Sequence, residues 1–321
     1  MTNFQVYKKT LLFSLYCFLV DLVGLGILVG ASIGGFFLMK NGEEGQGIIG
    51  LILGFIVGCL LYAVLHMLVT NRIKAAQIAM MTKGVVDNSL PETGIVKAGM
   101  DEVKGRFAKI TAFFIVTGAI KGIFRQIGRG ITKVGQAVGG DVGGSIGSVI
   151  DSAIQTLIGY LADCCLGWVM YRKDQGVTKS ACEGAVIFFK HGKTLIRNIG
   201  RIFGMGAVSF LVIGGAFFGV GYLVFSQMPQ LAETIAHEMT ELLEADAPAW
   251  LGNPSTVMLV SAGVVALFIW SMIHSVLIRP FILVGVLRNF MASGKEHLPT
   301  EEDFAELDKF PRFNKLRNKQ I

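Results

Sequence analysis

Asp21, Asp163, His66, His274 and Arg279 are ionisable residues set within or at the ends of long apolar runs. Such residues in a membrane helix face a bundle interior or a water path and serve ion or proton routes. An Asp at the bilayer centre costs roughly 2.5–3.5 kcal/mol on insertion scales. Asp21 lies nearest the middle of its run and is the strongest candidate for a polar path. Asp151 and Asp163 stand closer to helix ends, where headgroups can solvate them. Arg279 precedes Pro280, which removes a backbone donor and can kink a helix. The run from Ser255 is already long enough to span before Arg279, so the preferred reading places Arg279 at the interface. Residues 280–292 then run along the membrane as an amphipathic helix.

Enzyme chemistry is not expected. His237-Glu238-x-x-Glu241 has the start of a zincin pattern but lacks the second His one turn away. No Walker loop, credible nucleophile constellation or dinucleotide fingerprint is present, and the reading calls for no cofactor and no metal. Cys17, Cys59, Cys164, Cys165 and Cys182 show no metal-ligand spacing; they read as small buried hydrophobes, not as a disulfide framework.

Two patterns point to packing and surfaces. Gly135, Gly139, Gly143 and Gly147 recur every fourth residue, which makes one flat helical face for close backbone contact. That face suits self-association, an internal helix contact or a hinge. In 179–201, apolar residues alternate with Lys190, Lys193, Arg197 and Arg201, the pattern of an interfacial helix on anionic lipid or of a partner surface. The expected partners are membrane lipids and a second copy or another membrane protein. Net charge is +6, but Lys and Arg gather at the ends of apolar blocks, so nucleic acid is not expected.

These residues need long helices to position them. Runs 11–39, 47–70, 203–225 and 256–287 each reach the roughly 20 residues that cross a bilayer. Only 16% of residues are charged, against about 25% in soluble domains. The predicted fold is all-α and polytopic, with four to six crossings plus interfacial amphipathic helices. Its parts are a helix pair (1–74), a cytoplasmic connector (75–106), an amphipathic, glycine-rich hairpin (107–171) and a basic helix (172–201). A second helix pair with an acidic outer loop (202–290) and a tail (291–321) follow. The positive-inside pattern puts both termini in the cytoplasm, and a bacterial cytoplasmic membrane is the expected location. The apolar length of 146–171 favours six crossings. In the tail, Thr300 and Asp303 behind Pro299 match a capping box.

The two helix pairs share marks of a parallel internal repeat. Glycines space their first helices, at Gly24, Gly26, Gly30 and Gly34 and at Gly204, Gly206, Gly214 and Gly219, and His66 precedes Arg72 much as His274 precedes Arg279. Parallel repeats are a known transporter plan. Residues 179–201 and 256–287 resemble, in general helix character, the C-terminal helices of choline transporter-like proteins. No exclusive motif is shared and that family's large outer loop is lacking, so no membership follows. The first expectation is an oligomeric channel or transporter-like protein for ions or small solutes. The second is a non-enzymatic scaffold or assembly factor recruiting lipid or protein through its basic face.

Overall fold

The computed structural model describes residues 1–39, 46–107, 118–123, 143–196, 199–230, 233, 236–237, 240 and 248–318. Among them all regular structure is helical. The order is α1 (Asn3–Met39), α2 (Gln46–Leu65), α3 (Asn71–Val86), α4 (Ile95–Arg106), α5 (Gly143–Tyr171) and α6 (Val177–Ile196). Then come α7 (Ile199–Ser209), α8 (Gly215–Ser226), α9 (Pro254–Ile273), α10 (Arg279–Glu296), α11 (Glu301–Leu307) and α12 (Pro311–Arg317). Five-residue π-helical turns join α2 to α3 (His66–Thr70), α7 to α8 (Phe210–Gly214) and α9 to α10 (His274–Ile278).

Four helices are long and apolar enough to cross a membrane: Asn3–Met39, Ile49–Val86, Gly204–Ser226 and Pro254–Glu296. On α2, Leu51, Leu53, Phe55 and Leu60 are exposed apolar side chains, a surface that lipid would cover. Ile158–Tyr171 is apolar but shorter, and its side chains are buried in protein, including Leu161, Cys165, Trp168 and Val169. Residues 158–171 therefore belong to the core; residues 108–117 and 124–142, on which the expected extra crossings also fall, lie outside the described residues.

At 1.5 Å per residue, the 37-, 38- and 43-residue helices run about 55–65 Å, roughly twice a hydrocarbon core. Their surplus length is buried in protein. Residues 75–82 of α3 are all buried, as are Ile282, Leu283, Val284, Leu287 and Phe290 of α10. This overturns the reading of 280–292 as a helix lying along the membrane: its apolar side chains pack into a helical core.

The chain divides into two compact units, Met1–Ile199 with Pro280–Ile321, and Gly200–Arg279. In the first, the core centres on Trp168, which is fully buried and meets Phe290 edge-on at 6.3 Å. A Cβ at Gly167 would lie 2.8 Å from both Thr82 Oγ1 of α3 and Leu287 Cδ1 of α10, so the missing side chain lets both helices approach α5. Arg106, at the end of α4, donates to the carbonyls of Val169 (2.8 Å) and Arg172 (2.7 Å), satisfying groups left open where α5 ends. The expected capping box is present at Thr300, whose N–H donates to Asp303 Oδ2 at 2.8 Å. Phe313 and Leu316 of α12 are buried, so the segment expected as a tail is folded onto the unit.

The α1–α2 hairpin is held by small residues. Cβ atoms at Gly35 and Gly54 would strike the carbonyls of Gly50 and Ala31, and one at Gly58 would lie 2.9 Å from the Leu28 Cα. Gly50, Gly54 and Gly58 recur every fourth residue and make the flat face that lets the backbones touch. Gly26, Gly30 and Gly34 meet nothing within 4 Å. In the second unit, α8 packs on α9, with Gly221 against Ala262.

Candidate functional site

A polar seam runs between the first half of α1 and the helix that continues from α2. Thr10, Ser14, Cys17 and Asp21 follow one another by four, three and four residues, which keeps them on one face of α1. Opposite them stand Gln77 and Thr70, two turns apart. Gln77 Nε2 donates to Ser14 Oγ (2.7 Å) and to the Thr10 carbonyl (3.2 Å). Cys17 Sγ points to the Thr70 carbonyl at 3.9 Å, and Thr70 Oγ1 donates to Asp21 Oδ1 at 3.4 Å. Thr10, Ser14, Thr70 and Gln77 are buried, so the seam forms a paired polar strip inside an otherwise apolar contact.

Asp21 is at the middle of α1 but not of the apolar slab. From Met39 back to Asp21 is about 27 Å of helix, and from Ile49 to His66 about 26 Å. A hydrocarbon core about 30 Å thick counted from Met39 and Ile49 would reach just past both residues. The structure pairs Asp21 with Thr70, one turn beyond His66 on the same helix.

His66 opens its π-helical turn, with its ring 6.0 Å from that of Tyr62 and inclined at 42°. His274 does the same in the second unit: it opens the turn His274–Ile278, with its ring 5.2 Å from Trp270 at 40°. Trp270 Nε1 donates to Ser209 Oγ at 3.2 Å, and its ring meets Phe210 edge-on. The correspondence continues along the chain. Leu90-Pro91 follows His66 at the separation by which Leu298-Pro299 follows His274, and each pair lies between a long helix and a short one. Arg106-Phe107 and Arg312-Phe313 come next, both arginines donating to backbone carbonyls and both phenylalanines buried.

Arg279 begins α10 directly after the second π-turn and is partly exposed. Asp163 is on α5 beside buried Cys164, within the core of the first unit, and is not part of the seam. Gly135 and Gly139 lie outside the described residues; Gly143 and Gly147 belong to the first turns of α5. Of the basic set, Lys190 is committed to an ion pair with Asp303 at 2.8 Å. Arg197 and the side chains of Lys193 and Arg201 lie outside what is described. Cys17, Cys164, Cys165 and Cys182 are buried free thiols, and burial pushes Cys182 up to about 12. Among the described residues no group of three or more His, Cys, Asp or Glu could hold a metal.

Fold and site together define a protein whose regular structure is helical throughout the described residues, with four helices long and apolar enough to cross a membrane. Comparison of the chain with protein-family models, curated proteins and solved structures returns no match.

Proposed function

We propose that this protein moves ions or small solutes across a membrane, as a channel or transporter built from two corresponding helix pairs. The observation that carries the reading is the repeated His-headed π-turn at His66–Thr70 and His274–Ile278, each one helical turn after an aromatic residue. A π-turn leaves backbone carbonyls out of regular register, and such turns concentrate at functional sites. Parallel repeats and interrupted helices recur in transporters. The buried polar strip ends at Asp21, whose partly exposed carboxylate is a group that a hydrated solute can exchange for water. Tight glycine packing closes the middle of the α1–α2 hairpin, so conduction does not run between those two helices.

The test is flux through the purified protein in liposomes, over several ions and small solutes, for the wild type and for Asp21→Asn, His66→Gln and His274→Gln. Transport predicts flux that falls severalfold in variants whose melting is unchanged. Folded wild-type protein that passes none of the solutes across a range of voltages would reject this reading in favour of a membrane scaffold.

A further inference from the structure

Toward the end of α6, three consecutive residues meet the C-terminal segment. The Phe189 ring lies 6.0 Å from that of Phe310, Lys190 pairs with Asp303 at 2.8 Å, and the His191 ring lies 5.4 Å from that of His297. His297 directly follows α10, and its N–H donates to the Ser293 carbonyl at 3.1 Å. The phenylalanine contact and the ion pair hold the two backbones in place beside the histidines, so the rings face each other from fixed positions.

Packing does not account for two features of this pair. His191 departs from the geometry of its own helix, at φ −105° and ψ 17°. Its Nε2 is buried and makes no hydrogen bond. Buried polar atoms in native proteins are nearly always paired, and a bound ion or water is among the usual reasons for one that is not.

The spacing suits an ion. Imidazole nitrogens bind zinc at about 2.0–2.1 Å, which puts the centres of two rings sharing one tetrahedral ion about 5–6 Å apart. Rings 5.4 Å apart and inclined at 44° fall within that range. Burial first, then His297 and Lys190, hold the His191 imidazole below its ordinary 6.5, so at neutral pH it offers a lone pair instead of a proton.

We propose that His191 and His297 bind a zinc ion, with water in its remaining positions, and that the ion ties the C-terminal segment to α6. Two protein ligands make an open, exchangeable site, unlike the closed four-ligand shell of a structural zinc. This inference stands apart from the transport reading, since neither histidine belongs to the polar seam or to a π-turn.

The experiment uses the full chain, purified in detergent without a histidine tag and stripped of metal with EDTA. Zinc chloride and, separately, magnesium chloride are titrated against it by calorimetry and by thermal unfolding. Zinc is expected to saturate one site per chain. At about a hundredfold excess over its dissociation constant it should raise the melting temperature by about 5 °C or more. Magnesium, which prefers oxygen ligands, should leave it unchanged. His297 is exposed, so His297→Gln preserves the fold and should abolish the zinc shift, as should His191→Gln, while His237→Gln keeps it. Hydrogen exchange across residues 297–317 should slow with zinc in the wild type and not in His297→Gln. No saturable zinc binding, or an equal zinc shift in wild type and His297→Gln, overturns the site. Zinc binding that needs His297 but leaves exchange across 297–317 unchanged overturns the tie.

Discussion

Trp168 and Glu183 face each other across α5 and α6, the indole N–H donating to the carboxylate at 3.0 Å. The same carboxylate oxygen lies 3.2 Å from Arg172, whose guanidinium also grips Asp174 through two bonds of 2.9 Å. The indole is fully buried and the Glu183 side chain nearly so, which makes this contact a hydrogen-bonded ion pair inside the core. Glu183→Leu strands the buried indole N–H while Arg172 keeps Asp174, and is expected to cost about 1–3 kcal/mol, whereas Glu183→Gln keeps an acceptor and costs less. Thermal unfolding of the two variants in detergent should rank them in that order.

The α1–α2 hairpin distinguishes two sets of glycines that look alike in sequence. Gly54→Val drives side-chain atoms into the Ala31 carbonyl and is expected to destabilise the hairpin by about 1–3 kcal/mol or more. Gly30→Ala meets open space, so it should be neutral or stabilising by up to about 1 kcal/mol through helix propensity. Equal melting temperatures for the two variants would contradict the close backbone contact.

Asp303 accepts from Lys190, from the Thr300 N–H and from the Thr300 hydroxyl, at 2.8, 2.8 and 2.9 Å. The Lys190 bond first, and the Thr300 backbone bond second, pull its carboxyl from 3.8 down to about 2. A depressed acid stabilises the fold fully above its unfolded value and loses that contribution as pH falls through the folded one. Unfolding measured between pH 5 and pH 2 should therefore show a decline, shallower in Asp303→Asn, in the window from about 4 to about 2.

His191 sits where α6 departs from helical geometry, at φ −105° and ψ 17°, with its ring 5.4 Å from that of His297. Burial first, then His297 and Lys190, push its imidazole below the ordinary 6.5, against the opposing pull of Asp303 and Glu296. The unfolded chain thus takes up this proton first as pH falls. Stability drops below about pH 6.5 and levels off once the folded imidazole also protonates. His191→Phe should remove that segment of the pH–stability curve, as read by unfolding between pH 7.5 and 5.

The four spans were legible because apolar length is a local property. So was the capping box at Thr300, fixed by residue types three apart. The core was harder to read. The run 280–292 looks interfacial because its mixed composition fits either a lipid boundary or a protein core, and only the arrival of α5, with Gly167 leaving room, decides between them. Asp21 was visible as an acid in an apolar run. Its pairing with Thr70 was not, since Thr70 arrives from a helix 49 residues further along the chain. The seam has a readable half, Thr10, Ser14, Cys17 and Asp21 at helical spacing, but Gln77 falls in a stretch that reads as a polar connector. The glycines at 50, 54 and 58 carry the same every-fourth spacing as those at 135–147 yet were overshadowed by the longer run.

The first unit is discontinuous, joining Met1–Ile199 to Pro280–Ile321. Phe290 cannot reach Trp168 until the ribosome has made both members of the second helix pair. During synthesis, α3 and α5 therefore wait with their apolar faces uncovered until Gly200–Arg279 has been made. Completion of the core becomes a checkpoint on the whole chain: one that stops before Pro280 leaves Trp168 open, exposed to the chaperones and proteases that meet unfinished chains.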